Sequence, residues 1–235
     1  MNILIVGING KMGKILNSVA KDNNCKIVAG IDKNTKNYDK NTKIYENFEK
    51  IPEIITKKVD IVIDFALPDI INSELNYCIK NNKKLIICST GHTEKQLQDI
   101  KMASKKIPIF KSANTSVGIA LIQKILKDNL NIINDYRIEI IEKHHKNKKD
   151  KPSGTAKEML NILNNQPNCY SIRAGSIVGE HEILLFGESE QISIKHIAES
   201  RTLFAVGAIK IAKFMHKQNL AKLYDMNDLL KNFSI

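Results

Sequence analysis

The sequence predicts an α/β fold in two parts: a parallel sheet covered on both faces, and a smaller α+β region with an open mixed sheet. Three observations carry this. Short, almost wholly apolar runs at 3–6, 26–31, 59–65, 84–88 and 107–110 alternate with helical patterns, as strands buried on both faces require. Beyond residue 170 the period falls to two, with runs at 182–186 and 191–197 joined by Gly187-Glu188-Ser189-Glu190, the spacing of a hairpin. From 204 to 215 the pattern is helical again, with Ala208, Ile211, Ala212 and Met215 on one face. The expected divisions are 1–115, 116–203 and a C-terminal segment 204–235.

Composition narrows the classes of function. A chain of 235 residues, 43% hydrophobic and 26% charged, is long enough for a sizeable core and has the make-up of a globular protein. The net charge of +11 is spread along a lysine- and asparagine-rich sequence, so it reads as compositional bias and no nucleic-acid partner is expected. Four cysteines lie scattered with no C-x-x-C pair, which suggests neither a disulfide framework nor a zinc site. No apolar run reaches membrane-spanning length, and the N-terminus enters a strand without a basic region or cleavage site; a cytoplasmic protein with no membrane partner is expected.

The first strand runs into Gly7-Ile8-Asn9-Gly10-Lys11-Met12-Gly13, followed by a helical pattern through Ile15, Leu16, Val19 and Ala20. Strand, glycine-rich turn and helix make up the Rossmann-type dinucleotide-binding unit, whose glycines let backbone approach a pyrophosphate at the helix N-terminus. The spacing G-x-x-G-x-x-G is a variant, and an ordinary βα turn is the plainer reading. Asp32 ends the next strand nineteen positions after Gly13, where an acid would accept the ribose hydroxyls of an adenosine. Lys33 follows it and would suit a ribose phosphate, so NAD and NADP are both open. Loops after the fourth and fifth strands, Ser89-Thr90-Gly91-His92 and Ser112-Ala113-Asn114-Thr115-Ser116-Val117-Gly118, lie at the strand ends where ligands of such sheets bind.

The densest chemistry lies in residues 137–155, R-I-E-I-I-E-K-H-H-K-N-K-K-D-K-P-S-G-T. A half-buried strand with Ile138 and Ile140 on one face ends in two histidines. Four lysines follow, and then a helix start at Gly154 and Thr155. Backbone N–H groups there sit at the positive end of a helix dipole, where a carboxylate gains ~0.3–1 kcal/mol. A histidine near neutrality can give or take a proton. Together these suit a small dianion handled as an acid or base, although a solvated lysine loop ending in a capping box is the blander reading.

The run Glu139-Ile140-Ile141-Glu142-Lys143-His144-His145, with Lys148 and Pro152-Ser153-Gly154-Thr155-Ala156, resembles the signature of the dihydrodipicolinate reductases, also called 4-hydroxy-tetrahydrodipicolinate reductases. The resemblance extends to the glycine turn, Asp64-Phe65, Ser89-Thr90-Gly91, Asn114 with Ser116-Val117-Gly118, Arg173-Ala174-Gly175, Gly179-Glu180-His181 and Ser200-Arg201. It implies a homotetramer that uses NADH or NADPH to reduce the preceding synthase's product to tetrahydrodipicolinate on the diaminopimelate route to lysine. It also implies that the C-terminal segment returns to the dinucleotide-binding domain, and that 116–203 binds substrate and forms the oligomer.

Carried over residue by residue, the resemblance makes His144 the proton donor or acceptor and Lys148 the second donor. His145, Ser153, Gly154 and Thr155 hold the substrate carboxylates. Cofactor contacts fall on Gly7, Ile8, Asn9, Gly10, Lys11 and Met12, on Asp32 and Lys33, on Cys88, Ser89 and Thr90, and on Ser112, Ala113, Asn114 and Thr115. No metal is expected. Cys88 departs from the glycine common in the family, Lys151 replaces a common alanine, and the chain is shortened after Asp32 and Leu163, departures that bear on affinity and cofactor preference. Two rivals carry less: Cys88 as the nucleophile of a semialdehyde dehydrogenase, and the 143–151 lysine run as a nucleic-acid site without aromatic interleaving. His181 and His196 read as ordinary strand residues.

Overall fold

A computed structural model describes residues 1–36, 42–164 and 166–233. The chain forms two compact units, Met1–Thr115 with Phe204–Ile235, and Ser116–Leu203.

The first unit is a strand–helix alternation. It contains β1 (Asn2–Val6), α1 (Lys11–Asp22), β2 (Lys26–Ile31), β3 (Ile44–Tyr45), α2 (Glu53–Lys58), β4 (Ile61–Asp64) and α3 (Ile71–Lys80). Then come β5 (Lys84–Ile87), α4 (Glu94–Ala103) and β6 (Ile109–Lys111). The second unit holds α5 (Val117–Asp128), α6 (Leu130–Ile133), β7 (Arg137–His144), α7 (Gly154–Ile162), β8 (Asn168–Arg173), β9 (Gly179–Phe186) and β10 (Gln191–Ala198). The chain ends with α8 (Thr202–His216), β11 (Leu223–Tyr224) and α9 (Met226–Lys231).

In the first unit seven strands lie in the order β11-β6-β5-β4-β1-β2-β3, and every neighbouring pair is parallel. The apolar runs make this possible. Ile3, Leu4, Ile5 and Val6 in β1 and Leu85, Ile86 and Ile87 in β5 are all fully buried, which only a sheet with both faces covered allows. The strand order reverses between β1 and β4, so the crevice beyond their C-terminal ends is the place for a ligand. Thr115 Oγ1 donates to the carbonyl of Phe204 at 2.7 Å, tying the point where the chain leaves this unit to the point where it returns.

The second unit has a four-stranded sheet, order β10-β9-β7-β8, parallel only between β7 and β8. One face packs Ile138, Ile140, Ile183 and Leu185 against Ile119, Ile122 and Leu126 of α5 and Met159 of α7. This confirms the α/β class with a separate mixed sheet.

Besides the short strands β3 and β11 and a shifted start of β6, three elements differ from expectation. The third strand starts at Ile61, because Val59 closes α2 as its C-cap. The apolar pattern from 119 to 132 reads as one helix but is divided into α5 and α6 at Asn129, whose side-chain amide donates to the Ile125 carbonyl at 2.8 Å. β8 was not foreseen, its alternation being carried by mixed polar residues. No helix among the described residues is long and apolar enough to cross a membrane.

Candidate active site

In the first unit the turn after β1 forms a backbone cradle. Gly7 takes φ +76, and a Cβ there would stand 3.1 Å from the Ala66 backbone, a conformation and a space that favour glycine. At Gly13 a Cβ would lie 2.2 Å from the Gly7 carbonyl, so the helix can start this close to the strand only without a side chain. Gly10 is the N-cap of α1, with no side-chain cap and no acid in the first turn, which leaves the positive end of the helix to an anion. Asp32 accepts the N–H groups of Asn9 and Asn34, both at 3.0 Å. A cleft of about 620 Å³ is lined by Gly7, Gly10, Asp32, exposed Lys33 and Leu67 among others. Cradle, acid and cleft fit the adenosine and pyrophosphate of a dinucleotide.

The neighbouring loops are internally braced. Ser89 donates its hydroxyl to Asp64 Oδ2 and stands 3.3 Å from His92 Nε2. Burial lifts the Asp64 carboxyl to about 6, against the bonds from Ser89 and Ala66. Ser112 Oγ donates to the Asn114 carbonyl at 2.7 Å, while Thr90 and Ala113 are exposed. Cys88 is buried, and burial together with Asp64 and Glu74 pushes its thiol well up. Such a thiol is no nucleophile, which counts against the semialdehyde reading.

In the second unit the buried face of β7 changes character along its length. Ile138 and Ile140 sit in the core, and two and four residues on Glu142 and His144 continue the same face, 0% and 8% exposed. Register places His181 of β9 opposite Glu142 and Arg173 of β8 opposite His144. Glu142 gathers the site: it receives Arg173 Nη2 at 2.6 Å and Nη1 at 2.8 Å, the Ser153 N–H at 3.2 Å, and His144 Nδ1 at 2.5 Å. Burial alone would raise this carboxyl, yet Arg173, Ser171 and His144 hold it at about 2. A permanently charged carboxylate on Nδ1 fixes the imidazole and turns Nε2 toward Gly179, where a Cβ would stand 3.2 Å away.

Burial lowers the proton affinity of His144, Glu142 opposes this, and Lys148 and Arg173 lower it further. The Lys148 ammonium pairs with Asp150 at 2.8 Å. Ser153 is the N-cap of α7, its Oγ accepting the Ala156 N–H at 3.2 Å, and it lies 3.0 Å from His181 Nε2. Burial raises the Asp150 carboxyl, but Lys148 and the backbones of Asp150 and Gly154 hold it below the usual range. Space beside Gly154 is open, with nothing within 4 Å of a Cβ position.

Two family models divide the chain: "Dihydrodipicolinate reductase, N-terminus" matches residues 1–115 and "Dihydrodipicolinate reductase, C-terminus" matches 118–230. The chain belongs to this family. A 4-hydroxy-tetrahydrodipicolinate reductase of Clostridium tetani (strain Massachusetts / E88) is 39% identical over 255 residues, covering 99% of this chain and 98% of the relative. One of Clostridium novyi (strain NT) is 41% identical, with 98% of each covered. Among solved structures, the dipicolinate-bound dihydrodipicolinate reductase from Paenisporosarcina sp. TG-14 superposes with a TM-score of 0.82 at 23% identity, covering 97% of this chain and 98% of that one.

Of the reductase residues expected from sequence, His144 and Ser153 meet on Glu142, and Lys148 pairs with Asp150. The His145 carbonyl accepts the Lys148 N–H at 3.1 Å. Four residues of this cluster were given no role from sequence: Glu142, Asp150, Arg173 and His181, although all but Asp150 stand in motifs of the resemblance. Period-2 spacing put Glu142 on the face of His144, and that was the available signal. Among the described residues no group of three or more His, Cys, Asp or Glu is placed to hold a metal.

Proposed function

We propose that this member of the family is an NAD(P)H-dependent 4-hydroxy-tetrahydrodipicolinate reductase, forming tetrahydrodipicolinate on the diaminopimelate route to lysine. The observation that carries the reading is the Glu142–His144 contact of 2.5 Å at a strand end beside the α7 N-terminus: an oriented acid/base next to a carboxylate cradle. Family membership over nearly the whole chain supports the substrate.

NADH or NADPH, when bound, supplies the hydride. Gly7, Ile8, Asn9, Gly10, Lys11 and Met12 hold its pyrophosphate, Asp32 or Lys33 its adenosine ribose, and Cys88, Ser89, Thr90 and Ser112 to Thr115 border the remainder. His145, Ser153, Gly154 and Thr155 orient the substrate by its carboxylates, as suits a family whose Paenisporosarcina member was solved with dipicolinate bound. Substrate carboxylates accept the Gly154 N–H and take over Lys148 from Asp150. The His144 ring delivers the proton that balances the hydride, general acid catalysis of this kind being worth roughly 10²–10⁴-fold. The working unit is a cytoplasmic homotetramer, a reading supported by Tyr170, Ile172 and Ile197, which stand 52%, 45% and 55% exposed on the open face of the mixed sheet.

Purified protein coupled to the preceding synthase, with pyruvate and aspartate semialdehyde, is expected to oxidise NADH or NADPH only when the synthase is present. No oxidation with either cofactor, by a folded protein that binds them, overturns the reading.

A further inference from the structure

Ser153 has one hydroxyl proton, and the ring beside it decides where that proton points. Its Oγ accepts the Ala156 N–H and lies 3.0 Å from His181 Nε2. His181 is 3% exposed, and its Nδ1 is buried without a hydrogen-bond partner. With the ring neutral and protonated on Nδ1, Nε2 is an acceptor and the Ser153 proton points to it. With the ring charged, Nε2 is a donor; Ser153 Oγ then accepts from it, and the hydroxyl proton turns to another acceptor.

We infer that His181 is a positioning residue that sets the direction of the Ser153 hydroxyl, so that a carboxylate bound at the start of α7 draws a proton onto the His181 ring. The inference rests on the reading of Ser153 as a carboxylate ligand. The groups that face the ring are Glu142 and His144 of β7, the latter edge-on at 5.2 Å between centroids, His196 directly opposite on β10, Lys148 of the loop and Ser153 itself. Burial, His144, His196 and Lys148 keep the imidazole neutral, with a pKa of about 4, and only Glu142 opposes them. An added carboxylate acts in the same direction as Glu142 and raises it.

The fold supplies its own control. Ser116 caps α5 by accepting the Ile119 N–H at 3.2 Å, and its Oγ lies 3.1 Å from His196 Nε2. The same serine–imidazole pair thus stands at a helix start to which no carboxylate is assigned.

The test is calorimetric titration with dipicolinate at pH 6 and pH 8, each in two buffers of different ionisation heat. Wild type is expected to take up about 0.3–1 proton per dipicolinate at pH 6 and less at pH 8. His181→Gln, whose amide cannot be charged, is expected to lose at least about half of that uptake, and His196→Gln to keep it. Should His181→Gln not fold, Ser153→Ala removes the hydroxyl and leaves the ring, and is expected to lower uptake similarly. Uptake equal to wild type in His181→Gln or, failing that variant, in Ser153→Ala overturns the inference. No binding of dipicolinate by wild type overturns the carboxylate reading beneath it as well.

Discussion

Glutamine in place of Glu142 keeps the shape of the side chain and removes its charge. It leaves the Arg173 guanidinium, 6% exposed in its side chain, without a carboxylate. Two routes give the size of the effect. Holding a carboxyl at about 2 instead of its usual 4.5 corresponds to ~3 kcal/mol, at ~1.4 kcal/mol per tenfold change in proton affinity. Removing one partner of a buried ion pair costs ~3–5 kcal/mol. With a urea m-value of about 3 kcal/mol/M, the midpoint should fall by about 1 M in Glu142→Gln at pH 7. The folded carboxyl is depressed, so its contribution is complete above about 4.5 and is lost as pH falls toward about 2. The gap between wild type and variant should therefore be equal at pH 7 and 5.5 and narrower at 3.5. Midpoints within about 0.2 M at pH 7, or a gap that widens on acidification, refute the reasoning.

His144→Ala should lower kcat by about 10²-fold or more; unchanged turnover removes it from proton transfer. Lys148→Ala should impair both KM for the substrate and kcat, and an effect confined to cofactor affinity counts against its role. Glu74 is fully buried, with neither carboxyl oxygen hydrogen-bonded, and burial and Asp64 push its carboxyl well up. A raised folded value means that its favourable contribution is full below about 4.5 and declines as pH rises. Glu74→Gln should accordingly melt higher than wild type at pH 8 by a larger margin than at pH 5.5, and a constant or reversed margin disproves this. Gly13→Ala, forcing a Cβ to within 2.2 Å of the Gly7 carbonyl, should abolish tight NADH binding, seen by fluorescence titration; affinity equal to wild type shows that the turn yields.

The parallel sheet was legible because its strands are buried on both faces, so β1 and β5 read as unbroken apolar runs at any register. The second unit was harder. β8 carries Asn168, Ser171 and Arg173 in a strand with one exposed face, and local composition hides its partner. At the site, sequence reasoning found residues that lie close together in the chain, such as His144, Lys148 and Ser153. It missed those that arrive by sheet register. Arg173 meets Glu142 from 31 positions away and His181 meets Ser153 from 28; both stand in stretches that carry the family resemblance, but nothing in the sequence pairs them with these partners. The Lys148–Asp150 pair was hidden for a related reason: Asp150 was read only as part of a charged run.

The bond between Thr115 and Phe204 bears on synthesis as well as on the finished protein. A ribosome delivers β1 to β6 early, but β11, which pairs with β6 through Leu223 and Tyr224, comes only after the whole of Ser116–Leu203. Until then the β6 edge is a row of unpaired amides and carbonyls, the kind of edge that recruits strands from other chains. A nascent chain that stalls within the second unit carries that open edge, and one truncated before residue 223 never closes it. One edge of the first sheet therefore stays open until late in translation, when most of that sheet already exists.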